Sequence, residues 1–119
     1  MPRVLAIVLD VASVLVFAAI GRLSHGESLD ATQLGRTAAP FLAATLMVWV
    51  AMIMKPFLES SSRQGLAVWA VTLVLGMLFR AMLGGGVQVS FVIVAGIALG
   101  VLMLGWRALA HLATRKAAR

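Results

Sequence analysis

The chain contains no cysteine, only four acidic residues, and 12% charged residues in a length of 119. The missing thiols exclude a disulfide scaffold and any thiolate metal site. A soluble domain carries about 25% charged and roughly 45–50% apolar residues. Here the hydrophobic share is 62% and the mean hydropathy +1.05. The polar coat of a soluble fold is therefore missing, and so is the composition of a disordered or collagen-like chain. No stretch alternates polar and apolar residues with a period of two, which removes a transmembrane barrel. The only sizeable polar segment is Ser24–Arg36, so nothing divides the chain into domains. What is there is one small integral membrane domain.

A helix crosses about 30 Å of hydrocarbon with roughly 20 residues. Four apolar runs are long enough: about 4–23, interrupted by Asp10; 37–54, with Pro40 in its first turn and Lys55-Pro56 after it; 64–83, closed by Gly84-Gly85-Gly86; and 89–109, followed by a basic tail. Backbone groups in lipid must bond within their own segment, so the expected fold is an all-α membrane four-helix bundle. Ser28 is expected to cap a short surface helix before the second span, with Asp30 in its first turn. Met1-Pro-Arg3 and the first run resemble a secretory signal. The Asp10 at its centre, and the odd number of spans that cleavage would leave, point to a retained helix.

With four spans the termini and the loop from Lys55 to Arg63 share one side. That side holds Arg3, Lys55, Arg63, Arg107, Arg115, Lys116 and Arg119, against Arg22, Arg36 and Arg80 on the other. The excess places both termini in the cytoplasm, and Trp49, Trp69 and Trp106 fit an aromatic belt at that boundary. The net charge of +6 is then explained by topology and anionic headgroups, with the bilayer as partner. No basic groove with interleaved aromatics exists, so nucleic acid is not an expected partner.

A faint internal repeat is visible. LVFAAIGRLSHG (residues 15–26) aligns with LVLGMLFRAMLGG (residues 73–85), matching Leu-Val, Arg22 with Arg80, and Gly26 with Gly84; Pro40-Phe41 then matches Ser90-Phe91. The match suggests two parallel helical-hairpin repeats about an axis along the membrane normal. Leu and Val are common in any membrane helix, so chance similarity is the alternative.

Asp10 is the costliest residue, since a carboxyl inside a span is worth roughly 2.5–3.5 kcal/mol against insertion. At 100° per residue it shares a stripe with Ser13, Phe17 and Gly21, which should face the bundle. Counting from the cytoplasmic boundary, Trp49, Thr72 and Gly100 lie level with it. Two readings stand: a structural carboxyl hydrogen-bonded to Thr72 or an indole, and a proton or cation site.

At the outer ends, Arg22 and Arg80 are either snorkelling anchors or, with Arg36 and His25, a cationic mouth that attracts an anion or holds Glu27. The glycine turn after Arg80 lets backbone amides approach a ligand closely, and Ser90 follows it. His25 and Glu27 are too few for a zinc site, and a lone His leaves haem ligation open, so no metal or cofactor is implied. No Ser-His-acid set or carboxylate pair can be assembled from Asp10, Glu27, Asp30 and Glu59, so no catalytic residue is assigned. Gly96 and Gly100 form a GxxxG packing face, for the bundle or for a homodimer. The methionines suit gap-filling and lipid-facing positions.

The stretches FAAIGRLSHGE, TAAPF and GGGVQVSFVIVAGIALGVLMLGWR together resemble the four-helix prokaryotic membrane family known as domain of unknown function 3054. The likeness rests on Gly21 to His25, Thr37 to Phe41, Arg80 before its glycine turn, Ser90 to Val92 and Gly105 to Arg107, and covers nearly the whole chain. It implies a four-span fold in a prokaryotic cytoplasmic membrane and carries no activity. The residues themselves suggest a channel or transporter for a small ion or anionic solute, working as a homo-oligomer or within a larger membrane complex. The alternative is a non-catalytic accessory or assembly subunit.

The absence of native thiols makes the topology directly testable. An impermeant thiol reagent added outside should label Glu27→Cys and spare Ser61→Cys; labelling of Ser61→Cys alone would overturn the orientation.

Overall fold

The computed structural model describes residues 2–24, 26–27, 29–54 and 61–117. Four helices form: α1 (Arg3–Ser24), α2 (Ala31–Met54), α3 (Ser61–Met82) and α4 (Val89–Ala117). No strand occurs among the described residues. All four are long and apolar enough to cross a membrane. Each packs on two neighbours in the cyclic order α1–α2–α3–α4, and the backbones of the diagonal pairs do not approach each other. The long axis of 47 Å exceeds a hydrocarbon layer of about 30 Å, so helix ends project beyond it.

Two of those ends differ from expectation. Residues 31–36 form no separate surface helix; they are the first turns of α2, where Leu34 donates to the Asp30 carbonyl at 2.8 Å. Pro40 is consequently buried in the interior of α2 rather than placed in its first turn. It removes the hydrogen bond to the Arg36 carbonyl, a loss that neighbouring helices make tolerable in a membrane bundle. The expected Ser28 cap lies outside the described residues. At the other terminus, α4 runs on through the basic tail to Ala117.

α1 and α3 end in the same way. Gly26 (φ 69°) and Gly84 (φ 86°) adopt the left-handed conformation that favours glycine. Gly26 N–H bonds to Leu23 O at 3.1 Å and Glu27 N–H to Arg22 O at 2.8 Å; Gly84 N–H bonds to Ala81 O at 3.1 Å and Gly85 N–H to Arg80 O at 2.8 Å. Both are Schellman caps. Arg22 and Arg80 occupy the same position in them, where a cation complements the negative helix end. The sequence match between the two segments thus extends to backbone geometry.

Small residues set the close approaches. Phe17, Phe41 and Phe91 cluster at the bundle axis, with Phe17 edge-on to Phe41 at 5.2 Å. A Cβ on Gly76 would overlap the Phe41 ring, and one on Gly65 would lie 2.8 Å from Arg107 Cδ. Gly96 and Gly100 are used inside the bundle: the Trp69 indole donates to Gly96 O at 2.8 Å and lies 3.2 Å from where a Gly100 Cβ would sit. Met52, Met77 and Met103 fill the core, whereas Met47 and Met54 are exposed on the outer faces.

Alanine gains helix propensity over glycine by about 1 kcal/mol in open surroundings, while overpacking costs about 1–3 kcal/mol. Gly76→Ala and Gly65→Ala should therefore lower the melting temperature of the purified protein. Gly105→Ala, whose Cβ meets nothing within 4 Å, should leave it unchanged or raise it.

Candidate functional site

Two polar centres lie at opposite ends of the bundle. The first, near the termini, is built on Asp10, whose stripe faces inward: Asp10, Ser13 and Phe17 are all buried. The Asp10 carboxylate accepts from Arg107 Nη1 and Nη2 at 2.7 Å each, from Trp49 Nε1 at 2.8 Å and from Trp106 Nε1 at 3.0 Å. All four partners are N–H donors, so Asp10 acts purely as an acceptor. Arg107 is only 5% exposed. Its Nη1 also donates to Met103 O at 3.0 Å, and its guanidinium lies 4.3 Å from the Trp106 ring centroid. Gly65 of α3 makes room for the Arg107 stem, so all four helices meet at this knot.

Arg107 is the partner of Asp10 that the sequence does not reveal: it counts there among the basic residues of the terminal side, although it is spent on Asp10. Removing it leaves six basic residues against three, which does not reverse the asymmetry. Trp49 is likewise inside the bundle instead of in an interfacial belt, because the Asp10 carboxylate offers its N–H an acceptor. Thr72 does not reach Asp10. It hydrogen-bonds Thr45 Oγ1 at 2.8 Å, and Thr45 donates to Phe41 O, stapling α2 to α3.

The second centre is a cavity of about 410 Å³ at the opposite end, between the C-terminal turns of α1 and the N-terminal turns of α4 with contributions from α2 and α3. Arg22, Ser24, Glu27, Thr37, Arg80, Gln88 and Ser90 supply its polar side chains. Arg22 Nη1 pairs with Glu27 at 2.9 Å; the Arg22 side chain is 11% exposed and that of Glu27 50%. Arg22 also donates to Thr37 Oγ1 at 3.3 Å. Arg80 is held differently. Its Nε donates to Gly86 O at 2.7 Å, and its guanidinium stacks on Phe91 at 4.3 Å from the ring centroid. The turn folds back closely enough that a Cβ on Gly85 would lie 2.6 Å from Arg80 Cγ. Among the described residues the two terminal nitrogens of Arg80 carry no hydrogen bond. The planar edge they form suits a carboxylate or another oxyanion.

The structure therefore brings Arg22, Glu27, Arg80 and Ser90 to one cavity, with Glu27 on Arg22 and not on Arg80. Arg36 is exposed and is absent from the lining. His25 lies outside the described residues. No group of three His, Asp or Glu side chains forms among the described residues.

The family described as Protein of unknown function (DUF3054) matches residues 7–110 of the chain. No curated protein and no solved structure matches it.

Proposed function

The chain belongs to this family of unknown function, and we propose that it binds small anionic solutes in its outer cavity and acts in their transport across the prokaryotic cytoplasmic membrane. The observation that carries this reading is Arg80. A guanidinium fixed by Gly86 O and the Phe91 ring presents to a 410 Å³ cavity a hydrogen-bonding edge that has no partner among the described residues. A snorkelling anchor needs neither constraint. Ordering the stem in advance lowers the entropic cost of binding.

The bundle axis is filled below the cavity by Phe17, Phe41 and Phe91, and at the far end by the Asp10–Arg107 knot. A solute path would therefore run at an interface between copies, which is why the protein is assigned an oligomeric working state. Both termini are assigned to the cytoplasm, so the cavity faces outward. Asp10 takes the structural role, since its contacts leave no open coordination for a cation. That closure also favours the second reading, an accessory or assembly subunit whose costliest polar group only fixes helix register.

Tracer uptake by proteoliposomes separates the two. With labelled acetate or benzoate, the wild type should accumulate anion. Arg80→Gln should cut the flux at least about tenfold, about 1.4 kcal/mol or more. Arg80→Lys should restore part of it, since it keeps the charge but not the planar fork. No flux by wild type, or equal flux by wild type and Arg80→Gln, would contradict transport through this site.

A further inference from the structure

The cavity has a second character besides its charge. Its lining includes Phe17, Ala18, Gly21, Phe91 and Val94, all from α1 and α4. Gly21 has nothing within 4 Å of where its Cβ would point, so open space continues beside α1. Val94, on the facing helix, is 61% exposed within the apolar span of α4. The cavity is thus polar at its Arg22–Arg80 end and apolar along the α1–α4 seam, with the seam leading toward lipid.

The charge balance is equally specific. Of the ionic groups among the described lining residues, Arg22 and Glu27 neutralise each other, which leaves the single charge of Arg80. One unpaired cation with a planar edge matches a monoanion with two equivalent oxygens; a dianion would be left with an unpaired negative charge in a partly apolar site.

Resting on the anion-binding reading, we propose that the ligand is an amphipathic monocarboxylate. Its headgroup lies on Arg80, and its aliphatic or aromatic body lies in the α1–α4 seam beside Gly21 and Val94. The headgroup alone gains the guanidinium contact. The body adds apolar burial, worth up to about a fourfold gain in affinity per methylene removed from water. Affinity should then climb with chain length until the seam is full.

The test uses the full chain in lipid nanodiscs, with binding of labelled acetate and octanoate corrected for uptake by empty discs. Wild type should bind octanoate at least about tenfold more tightly than acetate, and unlabelled octanol should compete poorly because it lacks the charge. Gly21→Leu fills open space, so it should fold normally while the preference for octanoate over acetate collapses toward one. Gly21→Ala should give an intermediate ratio and guards against a misfolded leucine variant. Equal affinities for acetate and octanoate in the wild type, an unchanged ratio in both Gly21 variants, or competition by octanol as strong as by octanoate would overturn the amphipathic assignment while leaving the anion site standing. If neither anion binds, or Arg80→Gln binds both as the wild type does, the anion-binding reading itself fails.

Discussion

The structure depends on one ion pair, Asp10 with Arg107. Either charge alone inside a bundle surrounded by hydrocarbon would be prohibitive, and the pair tolerates burial only because every lone pair of the carboxylate is met. Two donors come from Arg107, one from Trp49 and one from Trp106. These residues lie on α1, α2 and α4, and Gly65 of α3 gives the Arg107 stem its place. Leucine-rich helix faces pack acceptably in many rotations and registers. A carboxylate with four directed bonds accepts only one, so the knot selects this arrangement from among otherwise similar packings.

The opposite end is built on a different balance. There the helices stop at Schellman caps, and the same cap position supplies Arg22 in one hairpin and Arg80 in the other. The two diverge in what they meet. Glu27, immediately after its glycine, neutralises Arg22. The equivalent position after Gly84 is Gly85, which has no side chain and allows the chain to fold over Arg80 until Gly86 O reaches its Nε. A repeated local structure has thus produced one paired and one available cation. The closed knot and the open cavity are separated by the phenylalanine cluster, two of whose rings, Phe17 and Phe91, also line the cavity.

Much of this was legible in the residues. The four spans follow from hydropathy and length, and the inward stripe through Asp10, Ser13 and Phe17 follows from helical periodicity. Arg22 and Arg80 could be placed together at one end of the bundle because the glycines mark where their helices stop. What escaped was longer in reach. Counting residues from a span boundary put Gly100 level with Asp10, seven positions short of the true partner, or about 10 Å of helix rise. α1 and α4 run antiparallel, and side chains lean toward their own helix N-terminus. Asp10 therefore leans toward the termini while Arg107 reaches back into the membrane, and the long arginine stem closes the gap. The rule that an intramembrane carboxylate should have a named partner was the available signal, since the likeness to Gly105–Arg107 had already drawn attention to that segment. Trp49 was legible in part: its level with Asp10 and an indole as the carboxyl's partner were both expected, and the bond forms, but an indole near a boundary suits an interfacial belt equally well until a buried acceptor is known. Pro40 was misplaced because a polar, exposed stretch looked like loop, although α2 begins within it.

The central claim is that Asp10 and Arg107 act as one unit holding the bundle, and a double-mutant cycle measures it directly. Reversible unfolding of the detergent-solubilised protein would be compared for wild type, Asp10→Asn, Arg107→Gln and the double variant. Each single change should cost about 3–5 kcal/mol, because it leaves the other charge buried without its partner. The double variant should cost well below the sum of the two, with a coupling of about 2 kcal/mol or more. Additive losses with no coupling, or single variants as stable as the wild type, would contradict the account.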